Sequence, residues 1–185
     1  MAITPYKQSL THSCLAASFL MLLQEESGIE FTEKDEQEIA LLGSRRIYPF
    51  YVVGITLEIA KRYGSEIKVH VDNKYFGGIL SKSFVEEKNI SVETKAVSLK
   101  LIRELLEIGS LICHVDMHGL GDYSHASHFI IIEKAVSETF TILDPWDGKK
   151  KRVSDKTLEN AIYELKHQVK MCPLLFSLNT LANRS

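Results

Sequence analysis

Residues 14–23, CLAASFLMLL, form an unbroken run of apolar and small side chains that ends in Gln24-Glu25-Glu26. Ala16, Phe19, Leu20 and Leu23 recur at helical spacing on one face. Ala17, Met21 and Leu22 widen that face well beyond a single stripe. A helix that is apolar on most sides belongs in the middle of a domain, covered by other elements. The run is too short to span a bilayer, which takes about 20 apolar residues. Acidic residues follow it where a signal peptide would carry a small-residue cleavage site. The expectation is a central helix over residues 13–26, stopped at Gly28. Its head is a cysteine, Cys14, preceded by the polar, turn-like stretch Gln8-Ser9-Leu10-Thr11-His12-Ser13.

A buried helix of this kind needs a domain around it, and 185 residues suffice for one domain with a real core. The expected boundaries are 1–185, a helical half to about residue 109 and a sheet half after it. Net charge is -2, so no global field recruits nucleic acid or an anionic membrane. The chain is expected to carry no integral membrane segment. Three cysteines, widely spaced, do not make a disulfide framework. A reduced, cytoplasmic protein is expected.

In the first half, helices are expected at residues 32–42, with Thr32 as N-cap and Gly43 as the stop, and at 52–63, closed by Gly64. Residues 45–50 read as a loop. A β-branched, alternating stretch at 66–71 reads as a strand. Residues 73–78 read as a turn and 79–88 as weakly helical. A strand at 90–96 precedes a helix capped by Ser98. After residue 110 the pattern changes: strand-like runs at 110–117, 128–134 and 139–143 are joined by short links, which favours antiparallel pairing. One more strand at 149–153, a helix at 154–165 and a last strand at 169–178 complete the chain. Pro173 pushes that last strand toward an edge or a bulge. The fold class is α+β, helices first and an antiparallel sheet after, unlike the strand–helix alternation of a dinucleotide fold.

Three segments carry chemistry, in this order: Gln8…Cys14-Leu15-Ala16-Ala17, then His128-Phe129-Ile130-Ile131-Ile132, then Ile142-Leu143-Asp144-Pro145-Trp146-Asp147-Gly148. Together they resemble the papain-like cysteine peptidases that trim double-glycine leaders from bacteriocin precursors, and their stand-alone relatives. The resemblance implies Cys14 as nucleophile, His128 as base, Asp144 as its orienting acceptor and Gln8 as an oxyanion donor. It implies a peptide or protein substrate and no cofactor. The same triad would also serve an acyltransferase, a transglutaminase or a glutamine deamidase, and a degenerate copy would serve as a peptide-binding module. Here Ser13-Cys14-Leu15 stands where the family has Asp-Cys-Gly. Leu15 is therefore the position that could narrow the site or cover the thiol. No transporter follows, so an exporter's peptidase domain within the same chain is not expected.

The residue chemistry points the same way. A helix N-terminus stabilises a thiolate by about 0.3–1 kcal/mol. Papain-type activation to a pKa of about 3–4 requires several times that. A cationic neighbour has to supply the difference, and an imidazole held at its other nitrogen by a carboxylate is one.

Other histidines compete for these roles. His125 is the rival base, and His128 is preferred because it abuts the apolar strand. His114, Asp116 and His118 share one face if extended, and Asp116 or His118 could meet substrate. With Cys113, His125 and His128 they resemble a metal-ligand census, but no pair has zinc-finger spacing, and no metal is expected. Trp146 is expected to pack in the core. The run Lys149-Lys150-Lys151-Arg152 is expected to be a solvated turn and edge strand. It lacks the aromatic interleaving of a nucleic-acid surface, and no nucleic-acid partner is expected.

Overall fold

The central helix is α1, Cys14–Ser27. Every residue from Cys14 to Leu23 is buried, as its all-round apolar surface requires. Gly28 ends it in the left-handed conformation, its N–H donating to the Gln24 carbonyl. The computed structural model describes residues 3–45 and 50–179. Most of the loop expected at 45–50 lies outside the described residues.

Two helices cover α1 on one side: α2 (Glu33–Ser44) and α3 (Phe50–Tyr63). A capping box starts α2, with the Thr32 and Asp35 side chains each accepting the other's backbone N–H. Gly43, expected as its stop, lies within the helix. The chain continues through β1 (Glu66–Val71), α4 (Lys74–Ser83), β2 (Ile90–Thr94) and α5 (Leu99–Leu106). The turn expected at 73–78 is instead the start of α4. Asn73, a turn former by composition, is its N-cap and accepts the Phe76 N–H at 3.0 Å.

The remainder is β3 (Leu111–Asp116), a 3₁₀ turn (His118–Leu120), β4 (Ser127–Val136), β5 (Thr139–Asp144), β6 (Lys149–Ser154), α6 (Asp155–His167) and β7 (Leu174–Asn179). All seven strands join one sheet in the order β2-β1-β7-β3-β4-β5-β6. Among the described residues only β1 and β2 pair parallel, across the α4 crossover; the rest pair antiparallel. The fold class is α+β, as expected.

Strand β7 corrects the sequence reading. It runs between β1 and β3 in the middle of the sheet, not at an edge. Pro173 precedes the first strand residue, so its missing N–H removes no ladder bond. By inserting there, β7 joins β1 and β2 from the first half of the chain to the strands of the second.

Both faces of the sheet are covered. Ile112, Phe129, Ile131, Leu143 and Phe176 share a core with α1, α3 and α4. Their neighbours Leu111, Cys113, Ile130, Ile142 and Leu175 share another with α5 and α6. Two-sided burial is why these strands read as continuous apolar runs. Among the described residues no helix is long and apolar enough to cross a membrane.

Candidate active site

The N-terminus of α1 and the open end of the β4–β5 hairpin meet at one place. His128 is the second residue of β4 and Asp144 closes β5, and both are buried. The His128 Nε2–H donates to Asp144 Oδ1 at 2.8 Å. Asp144 Oδ1 also accepts the Trp146 backbone N–H at 3.0 Å, and its Oδ2 accepts the Lys151 ammonium at 2.7 Å. Burial opposes ionisation of Asp144, but His128, Lys151 and the Trp146 N–H hold its pKa well below the carboxylate range. Burial likewise disfavours imidazolium, yet Asp144 and the neighbouring Cys14 thiol raise the His128 pKa to about 9. With Nε2 committed to Asp144, Nδ1 is the nitrogen left for Cys14.

Cys14 is the first residue of α1 and 7% exposed. A short turn sets its position: Ser13 Oγ–H donates to the Leu10 carbonyl at 2.8 Å and accepts the Leu10 N–H at 3.2 Å. Tyr51, from the first turn of α3, donates its hydroxyl to the His12 carbonyl at 2.5 Å. Burial, and then the charge of Cys14, push the Tyr51 phenol pKa up. Leu15 is fully buried within the core cluster. Its bulk packs into the protein interior, in the same core cluster as Cys14.

Gln8 reaches the same place along a different path. Its backbone N–H donates to the Pro145 carbonyl at 2.7 Å, which ties the N-terminal segment to the turn after Asp144. Gly148 makes this docking possible. Its φ is +67°, and a Cβ there would lie 2.9 Å from Lys7 Cβ and 3.0 Å from the Lys7 nitrogen. On the other side, the buried Glu36 carboxylate accepts the Tyr6 hydroxyl and the Ser9 N–H. The Gln8 side chain is buried. One of its amide hydrogens goes to the Leu10 carbonyl, 2.6 Å away, while Oε1 has no partner. A second N–H remains for a ligand.

The chain has the overall fold of the peptidase domain of Streptococcus ComA, a bi-functional ABC transporter involved in a quorum-sensing pathway. The TM-score is 0.56 at 15% identity, covering 96% of this chain and 98% of that one. A C39-like peptidase from Bacillus anthracis gives a TM-score of 0.55 at 14% identity, covering 96% of each chain. The fold is that of C39 peptidase domains. No family model matches the sequence, and no curated protein does.

The rival histidine is elsewhere engaged. His125 Nδ1–H donates to the buried Asp116 Oδ2 at 2.7 Å, and its ring stacks on His118 at 4.2 Å. His114 is a satisfied core histidine: Nδ1–H donates to the Cys172 carbonyl at 3.1 Å and Nε2 accepts the Ser127 hydroxyl at 2.7 Å. Trp146, expected in the core, is 41% exposed. It borders two grooves, one with His128, Asp144, Met117, Leu120 and Tyr123, the other with Lys7 to Thr11. Its place is set by the Asp144-Pro145 turn, which holds the indole at the rim. Lys151 lies on the edge strand, as expected. It is not only solvated, because its ammonium bridges Asp144 and Asp147 at 2.7 and 3.0 Å. Alternation along β6 was the available signal: Lys149 and Lys151 share a face beside the end of β5.

Proposed function

We propose that this protein is a cysteine peptidase, with Cys14 as nucleophile, His128 as proton shuttle, Asp144 as its positioning carboxylate and Gln8 as oxyanion donor. Cys14, as thiolate, attacks the peptide carbonyl. The Gln8 N–H and the Cys14 backbone N–H hold the oxygen as it becomes negative, each worth about 2.7–4 kcal/mol in such a site. When the C–N bond breaks, the proton on His128 goes to the leaving amine. Water then attacks the thioester, His128 takes its proton, and the acid product leaves the regenerated thiolate. The chain acts as a single domain, since one continuous sheet joins β1 and β2 of its first half to the strands of its second. The grooves on either side of Trp146 suit an extended peptide.

One observation carries the reading: a buried His128–Asp144 pair beside a cysteine at a helix N-terminus, within a C39 peptidase fold. Timed alkylation by iodoacetamide with mass spectrometry tests it. Cys14 is expected to be modified faster than Cys113 and Cys172 at neutral pH, and His128→Ala to remove that advantage. Equal labelling of the three thiols, unchanged in His128→Ala, would sink it.

A further inference from the structure

A second group of side chains lies beside the cleft and takes no part in this chemistry. His118, in the 3₁₀ turn, donates Nδ1–H to Glu164 Oε2 on α6 at 2.9 Å. Its ring stacks on His125 with 4.2 Å between centroids and a 32° tilt. One ligand atom from each of His118, His125 and Glu164 lies within 4.8 Å of the others. Both imidazoles are 43% exposed and the Glu164 side chain 15%.

The arrangement is built rather than casual. Asp116, at the end of β3, is fully buried. Its Oδ1 accepts the N–H groups of His118 and Ala126, and its Oδ2 accepts His125 Nδ1–H. One carboxylate thus anchors both ends of the loop and fixes the His125 tautomer with a lone pair on Nε2. Metal-binding imidazoles are held in this way, by a carboxylate on the nitrogen that does not bind. Gly119 brings the loop against α6: a Cβ at this position would lie 2.3 Å from Ala161 Cα. Only glycine allows the approach that sets His118 against Glu164.

We propose that His125 through Nε2, His118 and Glu164 bind a divalent transition ion of the zinc class. Two imidazoles and a carboxylate are a donor set for Zn²⁺, with a water as fourth ligand. Bonds of about 2.0–2.2 Å place tetrahedral ligands about 3.3–3.6 Å apart. The 2.9 Å between His118 and Glu164 opens slightly as the ion replaces the shared proton. The exposed imidazoles turn from stacked to convergent. The ion would staple the loop carrying Met117, Leu120 and Tyr123, one wall of the groove at His128, to α6. Sequence spacing could not show this site, because Glu164 arrives from a helix on the far side of the hairpin.

The test is calorimetric titration of the untagged full chain with Zn²⁺ in a Cys14→Ser background, which removes binding at the catalytic thiol. It reads no activity, so its outcome is independent of the peptidase reading. One ion per chain is expected. His125→Ala and Glu164→Gln should each weaken binding at least about tenfold, and Asp116→Asn by about 10–100-fold. Zn²⁺ should raise the melting temperature of the parent and of neither ligand variant. Because His118 and His125 are exposed, their alanine variants should fold, as circular dichroism would verify. No saturable binding in the parent, or undiminished binding in His125→Ala or Glu164→Gln, would overturn the site.

Discussion

Gln8 carries a cost that its proposed role as oxyanion donor would explain. A buried acceptor without a partner, here Oε1, costs about 1–3 kcal/mol. The cost is tolerable if the amide is held for the N–H it presents. Gln8→Ala should therefore lower kcat by about 10²–10³-fold while leaving iodoacetamide labelling of Cys14 unchanged, since alkylation develops no oxyanion. The second residue-level prediction concerns His128. Its folded pKa is raised to about 9, so it keeps its proton at neutral pH and loses it as pH rises through that value. The rate is expected to fall on the alkaline side near there. Stability follows the same sign. The His128 contribution is full below the unfolded pKa, about 6.5, and is lost as pH rises toward the folded value. Asp144→Asn removes the acceptor charge and should move the alkaline limb to lower pH, read from a pH–rate profile and from imidazole NMR titration. An unmoved limb would mean that Asp144 does not control His128. These residues were legible because each sits at a local landmark: a helix start, a strand start, a turn before proline. Lys151 shows only the alternation of β6, which puts it on a face with Lys149, and Tyr51 carries no local signal. Their partners, Asp144 and the Cys14 turn, are set by long-range pairing and packing.

At the scale of elements, strands and caps were legible and their neighbours were not. The strand-like runs at 110–117, 128–134 and 139–143 became β3, β4 and β5 because burial on both faces leaves a continuous signal. Nothing local says that β7 inserts between β1 and β3, since that order is decided by long-range pairing. Likewise Asn73 serves a turn or an N-cap equally well, and the helix that follows decides which. The docking of the N-terminal segment on the Asp144–Gly148 turn is another long-range fact, and it is testable. Gly148→Ala forces a side chain into a left-handed position and onto Lys7. It should cost about 1–3 kcal/mol of strain and loosen the Gln8 N–H bond to Pro145. The expected readout is a drop in kcat out of proportion to the drop in Cys14 labelling, with melting temperature lowered. Normal turnover in Gly148→Ala would show that this docking does not hold Gln8 in place.

At the scale of the molecule, the sheet's middle strand supplies an acid weakness that lies outside the site. His114 is fully buried on β3, stacked on Phe129 at 4.3 Å and bonded at both nitrogens. The bonds suit one neutral tautomer: Nδ1–H donates and Nε2 accepts. Burial, and the nearby His128 charge, bring its pKa down from 6.5 to about 4, against the pull of the Cys172 carbonyl. A histidine depressed in the folded state binds its proton more readily when unfolded. Between about pH 6.5 and 4 the unfolded chain therefore takes up more protons, and stability falls as pH falls. A shift of that size corresponds to roughly 3 kcal/mol across the window, a large share of a domain's 5–15 kcal/mol. Because β3 lies between β7 and β4, charging His114 would open the sheet where its two ends join. Denaturant unfolding of the wild type should lose stability steadily over that window. His114→Phe keeps the ring on Phe129 and removes the titration. It should lose about 1–3 kcal/mol at pH 7 by orphaning the Cys172 carbonyl and the Ser127 hydroxyl, yet show a flatter profile from pH 6.5 to 4. Parallel profiles for the two proteins would place the acid weakness in another group.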